Sequence, residues 1–445
     1  GAAWGAPDVP RFSLRRALAA AGLGYLLVCF WLTPTFIRTT VLNWRLDAYN
    51  YKVLVTQRLL LAGILAGVLL LRLVLRWLRA PFYPAFLTLG AFLFGWVTLI
   101  FYRWRWDTIP ESHRYAIEFE LLLVLAVFEW TRRALLSGSR FRIAVAAAAL
   151  LAVLFADARY AWKYWIQGWW PWRIIPSEQT VEYKLANWLE ERAPQGRVLL
   201  TGGMRFRVAT HVDLYRVGGT FETGLQNRAP VHMAYWIRTG GASELGHHTA
   251  DSLLMLKALG VEYVVIHGPG SREFYRDYKN PSMFEGVLEK VYHEQGDAIY
   301  RVPFRGFAHL IRPEEVPQWW QPAALPAYVA GIDDPRRPQL ETRWTGTGSL
   351  EIRGPVPAGY NVALQVTYDP GWTALQDGAA VPIEKDGLGF IQIRARPSAA
   401  AQIVLRYRGT HEQKLAGGVS LLAWLACAAG ILRSLRSRKG TSGSA

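Results

Sequence analysis

The stretch Ala17–Phe36, ALAAAGLGYLLVCFWLTPTF, decides the fold class: it is twenty residues without a charge, long enough as a helix to cross a bilayer core of roughly 30 Å. It does not read as a signal peptide, whose apolar segment would be shorter and end at a small-residue cleavage site, because it runs on into Arg38 and an aromatic-rich loop. Five further apolar runs are bounded by charge: Leu59–Leu78, Phe82–Tyr102, Tyr115–Trp130, Ile143–Phe155 and Leu415–Leu432. Arg72 and Arg76 in the second of the six can snorkel to the interface, and the fifth needs its flanks to span. The expectation is a polytopic α-helical membrane protein with six spans.

Composition agrees: 51% of the 445 residues are hydrophobic, and 50 Lys and Arg stand against 34 Asp and Glu, too apolar for disorder and too basic for an average soluble enzyme. All four methionines (Met204, Met233, Met255, Met283) lie in the middle, so the chain reads as a fragment whose upstream part is missing. Short segments that should share one side of the membrane hold fourteen Lys and Arg, among them Arg15, Arg79, Arg133 and Arg436, against seven in the opposite loops. Since cytoplasmic loops retain basic residues, both ends are expected in the cytoplasm, with residues from about 164 to 413 outside. The same segments absorb most of the +16 charge, which removes the argument for nucleic acid as a partner. Cys29 and Cys427 both fall in expected spans, so the outer part has no disulfide framework.

Four domains follow: 1–163 with five membrane helices, an extracytoplasmic α/β domain over 164–310, a connector and small β-sandwich over 311–412, and a final span with a basic tail over 413–445. In the α/β part, Val181–Glu191 has helical periodicity with Ser177 as its cap, Arg197–Thr201 reads as a buried strand, and Asp251–Ile266 reads as helix, Gly260 stop and strand. Phe284–Tyr292 is expected to be helix and Ala298–Val302 strand. After a Pro-rich connector from Pro313 to Pro338, SLEIRG, NVALQVTYD, GFIQIRA and AQIVLRYRG alternate at period two between turns.

Candidate chemistry concentrates in the outer loop Arg103–Arg114, RWRWDTIPESHR. Arg103, Arg105, His113 and Arg114 could neutralise a lipid-linked phosphate, with Trp104 and Trp106 stacking on a sugar or seated in the headgroups. Arg114 and Glu118, four apart, are expected to pair at the helix mouth, with Glu120 turned away. In the first outer loop Asp47 is the one acid and so a candidate base, as is Asp107 in the second. Trp162, Trp165, Trp169 and Trp172 recur on one helical face, which predicts a helix in the outer interface. The nine histidines, His247 and His248 adjacent among them, show no metal-ligand spacing, and Gly202-Gly203 and Gly268-Pro269-Gly270 read as turns.

FWLTPTF (Phe30–Phe36), HRYAIEFELLL (His113–Leu123), LKALGVEYVVI (Leu256–Ile266) and YDPGWTALQDGAAV (Tyr368–Val381) together resemble the C-terminal half of YfhO-like bacterial membrane proteins, of the GT-C class of glycosyltransferases. The resemblance implies transfer of a sugar from a polyprenyl-phosphate carrier to an envelope glycan or lipid acceptor outside the cytoplasm, with Arg114 as a contact for the donor phosphate. Such enzymes hold their catalytic carboxylate in the first external loop of an N-terminal helical module. No Asp-x-Asp pair occurs in this chain, so the resemblance places the catalytic acid upstream of it and leaves a divalent metal cofactor open. The alternative is a non-catalytic membrane protein whose outer domain binds envelope polysaccharide or a partner protein. A transporter is disfavoured, since no pair of broken helices with inward ionisable groups is evident.

Overall fold

A computed structural model describes residues 14–47, 55–109, 111–168, 176–218, 224–239 and 248–441. The protein is largely helical with mixed β-sheets, and it divides into two compact units: Gly1–Val28 with Val41–Ile174, and Cys29–Thr40 with Ile175–Ala445. Among the described residues, four helices are long and apolar enough to cross a membrane: Val55–Trp77, Phe82–Trp104, Arg140–Lys163 and His411–Arg433. This is the makeup of an integral membrane protein.

The helices of the first part of the chain are α1 (Leu14–Val28), α2 (Pro34–Asp47), α3 (Val55–Trp77), α4 (Phe82–Trp104), α5 (Ala116–Leu136) and α6 (Arg140–Gly168). The run Ala17–Phe36 is not one helix. Proline lacks an N–H and disfavours helical geometry in the residue before it, so α1 stops at Val28 and α2 restarts with Pro34 in its first turn. Thr33 caps the new helix, its hydroxyl accepting the Phe36 N–H at 3.2 Å. The 15 residues of α1 rise only about 22 Å. The expected fourth span is α5, which carries Glu118, Glu120, Glu129, Arg132 and Arg133 and is not among the four helices long, apolar and uncharged enough to count as spans. It packs on α4 where side chains are absent: a Cβ at Gly95 would meet the Phe119 ring at 2.8 Å, and one at Gly90 would meet Leu122 at 2.9 Å. The fifth expected span and the start of the tryptophan helix form one continuous rod, α6, with Trp162 and Trp165 exposed along it; Trp169 and Trp172 lie outside the described residues.

The second unit continues with α7 (Val181–Arg192), β1 (Arg197–Leu199), α8 (Met204–Arg207), α9 (Ala229–Thr239), α10 (His248–Ala258), β2 (Val261–His267), β3 (Glu289–Glu294), β4 (Asp297–Arg301), β5 (Ala308–Ile311) and α11 (Pro326–Asp333). Then come β6 (Glu341–Gly346), β7 (Ser349–Val356), β8 (Asn361–Thr367), β9 (Trp372–Gln376), β10 (Ala379–Val381), β11 (Ile383–Lys385), β12 (Phe390–Ile393), β13 (Ser398–Tyr407) and α12 (His411–Thr441). The first sheet has the order β1-β2-β4-β3, with β1 and β2 parallel. Alternation along β2 sorts its side chains: Tyr263 and Val265 join the cluster under α7, while Val264 and Ile266 join the one formed with α9 and α10. Two further sheets, β11-β12-β8-β5 and β10-β9-β13-β7-β6, share a core of Leu364, Ile391 and Ile393 with Leu350, Ile352 and Leu405. The other face of β8 and β12 gives Ala363 and Phe390 to the same cluster as α10 and Tyr328 of α11, so these helices lie between two sheets.

Three local expectations are corrected. Thr180, not Ser177, caps α7, its hydroxyl accepting the Tyr183 N–H at 3.3 Å, because Ser177–Gln179 form a separate 3-10 turn. Phe284–Tyr292 is not a helix: Gly286 takes φ +71°, and the chain turns into β3. β5, inside the stretch before the Pro-rich connector, pairs with β8 in the second sheet.

The end of α10 is held by side chains from two sheets. Gln365 of β8 donates through Nε2 to the carbonyls of Lys257 (2.8 Å) and Ala258 (3.0 Å), and Arg197 at the start of β1 donates to that of Leu259 (2.7 Å). Gln365→Ala takes a donor from the buried Ala258 carbonyl, while the Lys257 carbonyl keeps the Gly260 N–H at 3.0 Å, at a cost of about 1–3 kcal/mol, read as a lowered unfolding midpoint. Two buried ionisable groups nearby titrate in opposite senses. Burial pushes the Asp386 carboxyl up to about 6 and His309 down to about 4. Asp386 binds its proton more tightly folded than unfolded, so its contribution falls as pH rises from about 4 to 6, while that of His309 rises over about 4 to 6.5. In pH-dependent denaturation Asp386→Asn therefore steepens the gain in stability toward neutral pH, and His309→Gln flattens or reverses it.

Candidate functional site

The loop between α4 and α5 is built around a helix end. α4 finishes at Trp104, and Arg105 adopts a left-handed conformation, φ +59°, that returns its N–H to the Phe101 carbonyl at 2.7 Å. The cations collect there on aromatic faces. Arg105 lies 5.4 Å from the Phe101 ring centre, His113 packs against the same ring at 5.0 Å, and Arg103 lies 5.6 Å from the Trp104 ring. Trp104 and Trp106 sit 6.4 Å apart. Positive charge at a helix C-terminus is favoured by the helix dipole, so this arrangement is stable without a ligand.

The acids serve the loop. Asp107 accepts the Ser112 N–H at 2.9 Å, and the Ser112 hydroxyl bridges the Thr108 N–H and the Ile109 carbonyl. Asp107 is therefore engaged in shaping the turn. Arg114 pairs with Glu111 at 2.7 Å and not with Glu118: Ser112–Tyr115 form a 3-10 turn and α5 starts at Ala116, so Arg114 is not one α-turn below Glu118. Glu118 and Glu120 are both exposed on the first turns of α5. Asp47 ends α2, and its side chain lies outside the described residues, as do those of His247 and His248.

Below the loop, α3 and α4 enclose an apolar groove of about 520 Å³, lined by Leu59, Leu60, Gly63 and Ile64 on one side and Phe92, Trp96 and Ile100 on the other. Ile100 is three residues before Arg103, a rise of about 4.5 Å. The groove was not legible in the sequence because it depends on how two apolar helices face each other; Gly63 was the one local signal of reduced bulk.

Of the scattered histidines, His267 occupies the most constrained place. It is buried beside Asp297, its cross-strand partner in the β2–β4 register, with Nδ1 2.6 Å from Oδ1. Glu273, buried close by, accepts the N–H groups of Met204 and Tyr275, and so fastens the Gly202-Gly203 turn. No group of three or more His, Cys, Asp or Glu among the described residues is arranged to hold a metal ion. Comparison with known protein families, curated proteins and solved structures gives no match.

Asp107→Ala removes the acceptor that closes the turn. The amide of Ser112 should then exchange with deuterium markedly faster, by about tenfold or more, with α4 unchanged.

Proposed function

We propose that this protein acts on a lipid-linked phosphate at the outer face of a bacterial cytoplasmic membrane, as part of a GT-C-like glycosyltransferase that moves a sugar from a polyprenyl-phosphate carrier to an envelope acceptor. The observation that carries the reading is the apolar groove between α3 and α4, which ends at Ile100, one helical turn before Arg103, with Arg105 and His113 packed on the ring of the adjoining Phe101. An isoprenoid chain suits the groove and a phosphate suits the cations above it. The Arg114–Glu111 pair is exposed, so its net worth is about 0–1 kcal/mol, and a phosphate can displace Glu111 at little cost. The six-span topology, with both ends cytoplasmic and residues from about 164 to 413 outside, belongs to this reading and rests on the distribution of Lys and Arg.

With the protein in nanodiscs and a short-chain polyprenyl phosphate as ligand, the double variant Arg103→Gln, Arg105→Gln should weaken binding about tenfold or more, and Glu111→Gln should tighten it by releasing Arg114. Binding that neither variant alters would overturn the reading. Transfer is tested in membranes carrying the full-length protein, where Arg114→Ala should lower sugar incorporation while expression is unchanged.

A second reading, a non-catalytic protein that captures a lipid-linked glycan, is favoured by one observation: Asp107 and Glu111 are both engaged within the loop. Lipid-phosphate binding without any transfer by the full-length protein would select it.

A further inference from the structure

We infer that the second unit holds a separate binding site for the anionic group of a single sugar residue, a uronate or a sugar phosphate, in the cavity between its helical layer and the paired ends of β8 and β12 at Thr367 and Phe390. The cavity measures about 230 Å³, below the roughly 300–1,000 Å³ of sites for larger ligands, and it suits one ring. Among its lining residues are Arg197, Arg216, Gln226, Asn227, Thr367 and Phe390, and no carboxylate among the described residues faces it.

Both guanidinium groups are positioned by backbone. The segment at Arg216 runs beside β1 as a parallel bridge, with the Val198 N–H on the Tyr215 carbonyl at 2.7 Å and the Val217 N–H on the Val198 carbonyl at 3.1 Å. Nη1 of Arg216 donates to the Arg205 carbonyl at 3.3 Å, one of five donors that a guanidinium offers. Arg197 donates to the carbonyls of Leu259 and Gln365 and lies over the rings of Phe307 and Phe390. Burial lowers it only to about 10, so it is charged at neutral pH.

The cavity wall formed by the described residues gives Arg197 and Arg216 no carboxylate partner, the nearby Asp277 being taken by Arg205 and Arg238, and two like charges facing one partly dehydrated cavity repel each other. An entering anion removes that repulsion and gains charge-assisted hydrogen bonds. The rest of the wall suits a sugar. Asn227 is fixed, accepting the Ala229 N–H and donating to the Gly389 carbonyl, both at 3.1 Å, while Gln226 and Thr367 offer partners for hydroxyls and Phe390 an apolar surface for a ring face.

This site does not depend on the lipid-phosphate reading, and soluble sugars test it alone. Calorimetric titration of the full chain in nanodiscs with glucuronate, glucose 1-phosphate and glucose should show binding of a charged sugar at least about tenfold tighter than glucose. A preference for glucuronate identifies acidic glycan as the source and a preference for the 1-phosphate identifies a phosphorylated sugar; either upholds the site. Arg216→Gln should weaken the charged ligand about tenfold, Arg216→Lys should restore part of it, and Arg353→Gln on β7 should leave it unchanged. Glucose binding as well as the charged sugars, no binding of either charged sugar, or full binding by folded Arg216→Gln would overturn the proposal. If Arg216→Gln does not fold, the comparison of charged and neutral sugars on the wild-type chain decides it.

Discussion

The second unit depends on how the C-terminal end of one short helix is satisfied. α10 ends between two sheets, where its last carbonyls are partly or fully buried, and a helix end always leaves such groups without intrahelical partners. Gln365 and Arg197 supply the missing donors, one from the middle of β8 and the other from the start of β1. The guanidinium also places a positive charge at the negative end of the helix dipole. One polar cluster thereby fixes the distance between two sheets that belong to different stretches of sequence. Gly260, with φ +64°, is where the chain turns beneath this cluster, and a Cβ there would press on the Gln365 amide at 2.7 Å.

Elements whose determinants are local could be read from the sequence. The periodic run at α7, the helix–Gly260–strand passage into β2, and the alternating strands β7, β8, β12 and β13 all carry their pattern within a dozen residues. The misreadings arose where one residue outweighed the pattern around it. Pro34 divided an apolar run that composition alone would carry across a bilayer, and Gly286 diverted Phe284–Tyr292 from helix into strand. β5 is only four residues long and acquires its identity from pairing with β8, which sequence periodicity cannot reveal.

The candidate sites divide in the same way. The cations and indoles of Arg103–Arg114 were evident as a list, but their partners were not: Asp107 became a turn acceptor, and Arg114 chose Glu111 because a 3-10 turn intervened before α5. Arg216 gave no signal at all, since its place comes from a backbone bridge to a strand eighteen positions earlier. His267 and Asp297 meet only because β2 and β4 are antiparallel neighbours in a particular register. In each case the residue type was visible and the geometry came from nonlocal pairing.

The break at Thr33-Pro34 has a consequence for how the chain is made. Residues that leave the helix in an apolar setting need partners for their backbone, and here α12 provides them: Ser420 accepts the Phe30 N–H at 3.1 Å, and Glu412 accepts the N–H of Thr35 at 2.7 Å. These partners are separated by 390 and 377 positions. A ribosome delivers Phe30 and Thr35 long before Ser420 and Glu412, so the first stretch must wait, incompletely bonded, until α12 has emerged. Completion of the second unit is thus tied to the synthesis of α12, and a product halted before that helix would lack the groups that finish its beginning.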